Sequence, residues 1–323
     1  MNRLIYFIII IILSAIFGMT NSHLIMQEES NKFPLEVKLK NSITQFNPLA
    51  NIIRHSENLA LRSCQEVFQW DQWNCPTADF MLKRTTNVID KESAFVKAIT
   101  VASVIYTSIK NCSANFMDCG CNFNTPVVDE SQVNKCLDHI VALEKHFIDT
   151  GNSDIQGYTE AHNSRAGRIA VQRALKHECR CSGLTNSCSL EICWMFLGNF
   201  SEIAADLRKM YDQGVKVSSD NTGRVKRHIK RGSLVFLEKS PDYCMKNVIQ
   251  GWQGMRGRQC SRRKDAGSSL QERRSCRKLC RACGLKVKKE RVIKESPCKC
   301  KFFWCCDVQC DTCSERVNEF YCY

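Results

Sequence analysis

Residues 179–193 read CRCSGLTNSCSLEIC, with four cysteines in fifteen positions. A Cys181–Cys188 bridge would close a small loop over SGLTNS, with Thr185 near its tip, and a Cys179–Cys193 bridge would brace the base of the same hairpin. So short a loop buries no core. It turns its polar tip outward and offers a hydroxyl to another macromolecule or to a modifying enzyme. Gly183 and Asn186 supply the backbone freedom that so tight a turn demands.

The same construction recurs near the end of the chain, at 298–313, CKCKFFWCCDVQCDTC. Cys298–Cys313 would form the base and Cys300–Cys310 the next rung. Cys305 and Cys306 are neighbours and can bond only through a strained ring, which would stiffen the tip. Phe302, Phe303, Trp304 and Val308 surround that ring. Large apolar side chains on a stiff projecting loop are costly unless a partner covers them, and aromatics are common binding hot spots.

Cysteine is the loudest compositional signal: 22 in 323 residues. The N-terminus explains it. Met1–Arg3 is basic, Leu4–Phe17 almost wholly apolar, and Gly18–Ser22 small and polar. Residues 1–22 therefore read as a secretory signal peptide, the apolar run being shorter than the roughly 20 residues a bilayer span needs. Outside the cell, cysteines mean disulfides, whereas CxC and CxxC pairs would read as zinc sites in a cytosolic chain.

The formal net charge is +13, concentrated in RVKRHIKR at 224–231 and in 256–294. For an extracellular protein the matching polyanion is a sulfated glycosaminoglycan rather than nucleic acid. Along the chain, 23–48 reads as a mobile lead and 49–213 as a helical N-terminal domain. Helices are expected at 49–63, 89–111, 134–149, 157–178 and 200–213, the third from the amphipathic spacing of Leu137, Ile140, Val141 and Leu143. Cys64 and Cys75 flank Phe68, Trp70 and Trp73 as a stapled aromatic turn, and Cys112–Cys119 and Cys121–Cys136 follow as pairs. Residues 214–233 read as a basic linker, in which Arg224-Val225-Lys226-Arg227 has the spacing of a convertase site. From 234 to 323 helix patterns thin out and twelve cysteines follow. Bridges there must replace a core, each contributing about 2–4 kcal/mol. The fold class is α+β and disulfide-rich, with a stapled hairpin on the helical domain and a cystine-rich β-hairpin domain after it. No G-x-S-x-G or H-E-x-x-H stretch is present, so the chain reads as a binding protein and not an enzyme, without a cofactor or a metal.

CQEVFQWDQWNCP, NSRAGRIAVQRALK, CRCSGLTNSCSLEICW, FLEKSPDYC, ERRSCRKLC and CKCKFFWCCDVQC together resemble a Wnt family ligand over residues 45–323, nearest the subgroup numbered eight. The resemblance implies the pairs Cys244–Cys283, Cys260–Cys276 and Cys280–Cys322, besides Cys298–Cys313, Cys300–Cys310 and Cys305–Cys306. It implies a thumb and an index finger that grip the cysteine-rich domain of a Frizzled receptor. It further implies a monounsaturated fatty acyl group placed on the thumb hairpin by the Porcupine acyltransferase, a Wnt carrier during secretion, an LRP-type co-receptor, and heparan sulfate proteoglycan in the extracellular matrix.

The hairpin departs from the family's usual C-x-C-H-G-x-S-G-S-C. Ser182 stands for the His, Thr185 for the acylated Ser, and Asn186 for the Gly. Three outcomes stay open: acylation on Thr185, on Ser187 or Ser182, or none, the last giving a weak agonist or an antagonist. At the second tip Phe303 replaces the usual His. Asn111-Cys-Ser and Asn199-Phe-Ser are glycosylation sequons.

Overall fold

The apolar run from Ala94 to Ile109 is the centre of the first of two units in the computed structural model. The structure describes residues 48–75, 89–113, 137–138, 140–142, 145, 154–182, 190–218, 229–230, 232–247, 252–263, 265, 267–304 and 307–323. The first unit takes residues up to 63 and 77–240; the second takes 64–76 and 241–323.

In the first unit, helix α1 (Pro48–Val67) contributes buried Ile52, Ile53 and Ala60. Helix α2 (Lys91–Ser113) is the hub. Phe95, Val96, Ile99, Val101, Val104 and Ile105 are all buried, although they point in different directions around the helix. Each such side chain stabilises the fold by about 1.5–3 kcal/mol. By length and composition α2 could cross a membrane, but most of it lies inside the protein and it is a core helix. Asp90 starts it by accepting the Ser93 amide at 2.9 Å.

Helix α3 (Ile155–Ala174) is capped by Asp154, whose carboxylate accepts the Gly157 amide at 2.8 Å. Strands β1 (Leu175–Ser182) and β2 (Leu190–Leu197) follow as an antiparallel hairpin. The expected helix to 178 is thus corrected. Leu175 is already extended and pairs with Leu197, so long-range strand pairing outcompetes one more helical turn. Lys176, on the strand, reaches Glu202 at 3.1 Å. Helix α4 (Phe200–Asp212) is amphipathic and buries Phe200, Ile203, Ala204, Leu207 and Met210.

Strands β3 (Val215–Lys216) and β4 (Val235–Phe236) are parallel and lie in the first unit on either side of the basic stretch. Only two residues of SLVFLEKSPDYC are strand, fewer than its β-rich composition suggests. The described residues between 137 and 145 are helical, and Leu137 and Ile140 are buried.

The second unit opens with the Cys64–Cys75 loop, where Phe68 and Trp73 meet edge-to-face at 4.9 Å and are buried. Arg258 holds the loop by donating to the Asp71 carbonyl at 3.0 Å and the Gln69 carbonyl at 3.3 Å; burial pushes its guanidinium down to about 10. Lys278 pairs with Asp71. Strand β5 (Gln259–Cys260) and a short helix α5 (Leu270–Ser275), continued by a wider turn over Cys276–Cys280, are tied by Cys260–Cys276. Cys244–Cys283 and Cys280–Cys322 complete the knot. From it runs one long ribbon, β6 (Val287–Phe303) against β7 (Asp307–Cys322).

Candidate receptor-binding tips

On the first hairpin, the register sets Cys179 opposite Cys193 and Cys181 opposite Glu191, closing on Ser182 opposite Leu190. Cys179 and Cys181 are exposed, and each is in a disulfide. The loop itself, with Thr185, Ser187 and Cys188, lies outside the described residues, as do Cys119, Cys121, Cys136, Cys305 and Cys306. Cys112, at the end of α2, is buried and disulfide-bonded. What the structure establishes for this tip is an eight-residue antiparallel stem carrying it.

The second tip is described on both sides of its turn. Cys298 and Cys313 are bonded with Cα atoms 5.8 Å apart, and Cys300 and Cys310 with Cα atoms 4.0 Å apart. Beyond them Phe302 pairs with Val308 and Phe303 with Asp307. Trp304 follows at the turn and is 95% exposed; Phe302 is 69%, Val308 57% and Phe303 48% exposed. None of the four folds back onto the ribbon. The sequence placed these residues at a tip, and the ladder brings them together there.

Sequence reading did not single out Lys299, which has φ 48° at a register shift between Cys298 and Lys301. This is a bulge, one extra residue on β6. Its signal is in the cysteine spacing: Cys298 and Cys300 are two apart, Cys310 and Cys313 three apart. Along a regular ladder those offsets cannot both pair. The bulge moves Cys300 to the opposite face from Cys298, where Cys310 already is, and carries Phe302 with it to the face of Val308.

The sequon residues differ. Asn111 is half-buried on α2 and donates its side-chain amide to the Thr107 carbonyl at 2.8 Å. Asn199 is exposed at the start of α4 and makes no side-chain cap. Among the described residues no group of His, Cys, Asp and Glu could hold a metal ion.

A helical unit with a β-hairpin stem and a disulfide-knotted ribbon ending in an apolar tip is the architecture that the resemblance implied, and a model of the Wnt family matches residues 33–323. The chain belongs to the Wnt family. Protein Wnt-8a of Danio rerio is 38% identical over 296 residues, spanning 81% of this chain and 80% of that one. The Wnt inhibitor of Dorsal protein of Drosophila melanogaster is 38% identical over 276 residues, spanning 82% and 85%. In the solved structure of human WLS in complex with WNT8A, one chain superposes with a TM-score of 0.71 at 31% identity, over 90% of this chain and 99% of that one. This is therefore a Wnt-8-like member of a family of signalling ligands.

Proposed function

We propose that this Wnt is a secreted ligand that binds the cysteine-rich domain of a Frizzled receptor and thereby drives Wnt signalling in development and cell-fate decisions. One observation carries the reading. Phe302, Phe303, Trp304 and Val308 stand exposed on a ribbon end cross-braced by two disulfides, where only a partner can cover them. The ordering cost of binding is already met by the bridges, so apolar burial on docking goes largely into affinity.

The second contact is the hairpin carried by β1 and β2. Thr185 is its acceptor for a monounsaturated acyl chain transferred by Porcupine, with Ser187 as the alternative. Burial of such a chain contributes about 0.8 kcal/mol per methylene. An LRP-type co-receptor completes the complex, a WLS-like carrier escorts the acylated protein outward, and heparan sulfate proteoglycan retains it in the matrix. Asn199, exposed and uncommitted to a cap, is the better placed of the two sequons. No step is catalytic.

The test is Trp304→Ala in the secreted full-length protein. Affinity for isolated Frizzled cysteine-rich domains falls by at least about tenfold while the secreted amount holds, as for a hot-spot aromatic. Unchanged affinity overturns the reading. The substitution of Thr185 and Asn186 in the hairpin favours a second reading, a non-acylated Wnt acting as a weak agonist or antagonist. Alkyne-fatty-acid labelling separates the two: label lost on Thr185→Ala and kept on Ser187→Ala supports the first, and no label on the wild type supports the second.

A further inference from the structure

In an antiparallel ribbon, opposite residues share a face and alternate residues along each strand return to it. The β6–β7 register therefore sorts the ribbon's charges into two sets. One face has the rungs Lys288/Tyr321, Glu290/Glu319 and Lys294/Glu315. Its cations are answered internally: Lys288 Nζ lies 2.8 Å from Glu290 Oε1, and Lys294 Nζ lies 2.8 Å from Glu319 Oε1. The Lys294 hydrogen bond holds the Glu319 carboxyl below its ordinary value, and the Glu290 hydrogen bond raises Lys288.

The other face has the rungs Lys289/Phe320, Arg291/Asn318 and Ile293/Arg316, and beyond them Glu295/Ser314, where the exposed Glu295 is the one acidic residue among these rungs and marks the end of the basic row. Lys289, Arg291 and Arg316 are exposed. Arg262, also exposed, extends the set by laying its guanidinium over the Phe320 ring, 5.0 Å from the centroid. Among the described residues none of these four cations makes an ion pair. Successive rungs on one face are about 6.6 Å apart, twice the rise per strand residue. The result is a row of four cations without ion pairs, ending at Glu295 and backed by a face whose cations are already paired.

We infer that this face, Lys289, Arg291 and Arg316 with Arg262, is the docking track for a linear sulfated glycosaminoglycan. The inference rests on the reading of the chain as an extracellular ligand and assigns residues to the polyanion contact. A linear polyanion fits because the cations form a row rather than a cup, and because arginine forks take sulfate oxygens two at a time. An anionic membrane fits less well, since Ile293 is the one exposed apolar side chain among these rungs and offers little to insert.

The experiment uses full-length secreted protein on immobilised heparan sulfate at about 0.15 M salt, near physiological ionic strength, with two double variants of equal charge loss. Arg291→Gln/Arg316→Gln weakens binding about tenfold and flattens its salt dependence, because fewer counterions are released. Lys288→Gln/Lys294→Gln changes affinity less than about threefold, since those cations are already satisfied. Equal losses in both, no loss in the first, or no binding by the wild type overturns the assignment. So does loss of binding to phosphatidylserine vesicles by the first variant with polysaccharide affinity intact, which would make the face a membrane contact. The same proteins are assayed on Frizzled cysteine-rich domains. Both doubles bind these as the wild type does, and failure of every protein there, the wild type included, would sink the receptor reading alone.

Discussion

A methyl group on Gly167 would lie 2.3 Å from the carbonyl oxygen of Ala98. Helices α2 and α3 cross there with backbone against backbone, and only a glycine permits it. The obstacle is a main-chain atom in the middle of a buried helix, so no rotamer change relieves it. Gly167→Ala is expected to cost about 1–3 kcal/mol or more as overpacking. Secreted yield and melting temperature both fall. Ala98→Gly in the same chain gives no rescue, because the clash is with the carbonyl and not with the alanine side chain.

Asn163 acts as a one-residue strand. Its amide nitrogen donates to the Val235 carbonyl at 2.9 Å and its oxygen accepts the Val235 amide at 2.9 Å, with the side chain 1% exposed. Asn163→Leu keeps the branched shape but strands two buried backbone groups. The expected cost is about 2–6 kcal/mol, at roughly 1–3 kcal/mol for each of the two unsatisfied groups. Hydrogen exchange of the Val235 amide accelerates in step, a readout that general loosening of the core would spread over α2 as well.

That contact also marks where sequence reading stops. Helix α4 was legible because Phe200, Ile203, Leu207 and Met210 recur on one side and pack on one side. The tip was legible because cysteines at nested spacing leave few ways to close a ribbon. The end of α3 was not. Arg173, Lys176 and His177 are a local signal for a helix terminus, and the strand that begins at Leu175 depends on Leu197, far along the chain. Strand β4 is short for the same kind of reason. After Val235 and Phe236 the chain's next amides, at Leu237 and Glu238, both go to the Ile89 carbonyl, so the extended run spends its hydrogen bonds on a loop.

Tyr211 makes a pH prediction. Its hydroxyl donates to Glu92 Oε1 at 2.9 Å, and Ser240 donates to Glu92 Oε2 at 2.7 Å. Burial, then the Glu92 charge, push the Tyr211 phenol far above its ordinary value of 10.0. The folded state therefore resists ionisation that the unfolded chain undergoes freely. This contribution is complete below the unfolded value and is lost as pH rises above about 10. Urea-unfolding free energy falls over that range in the wild type. Tyr211→Phe is less stable at neutral pH by about 0.5–1.5 kcal/mol for the missing hydrogen bond, yet loses less on going to alkaline pH. Parallel curves for the two proteins would show that the alkaline loss arises elsewhere.

Lys299 decides which way the aromatic tip faces. With φ 48° it occupies left-handed backbone, unfavourable for a side chain that has a Cβ, and it does so at the bulge that turns Cys300 towards Cys310. Lys299→Gly removes that penalty and is expected to leave the tip intact with stability unchanged or raised by up to about 1 kcal/mol, since glycine adopts this conformation freely. Lys299→Val adds β-branching where φ is positive. The bulge is then pushed toward a regular ladder, in which Cys300 and Cys310 lie on opposite faces and the inner bridge cannot close. Mapping disulfides in the secreted proteins checks this: the Cys300–Cys310 peptide persists in the glycine variant and declines in the valine variant. Frizzled affinity should follow the bridge rather than the charge, so a valine variant with its inner bridge complete and its affinity unchanged would show that the tip is aimed without the bulge.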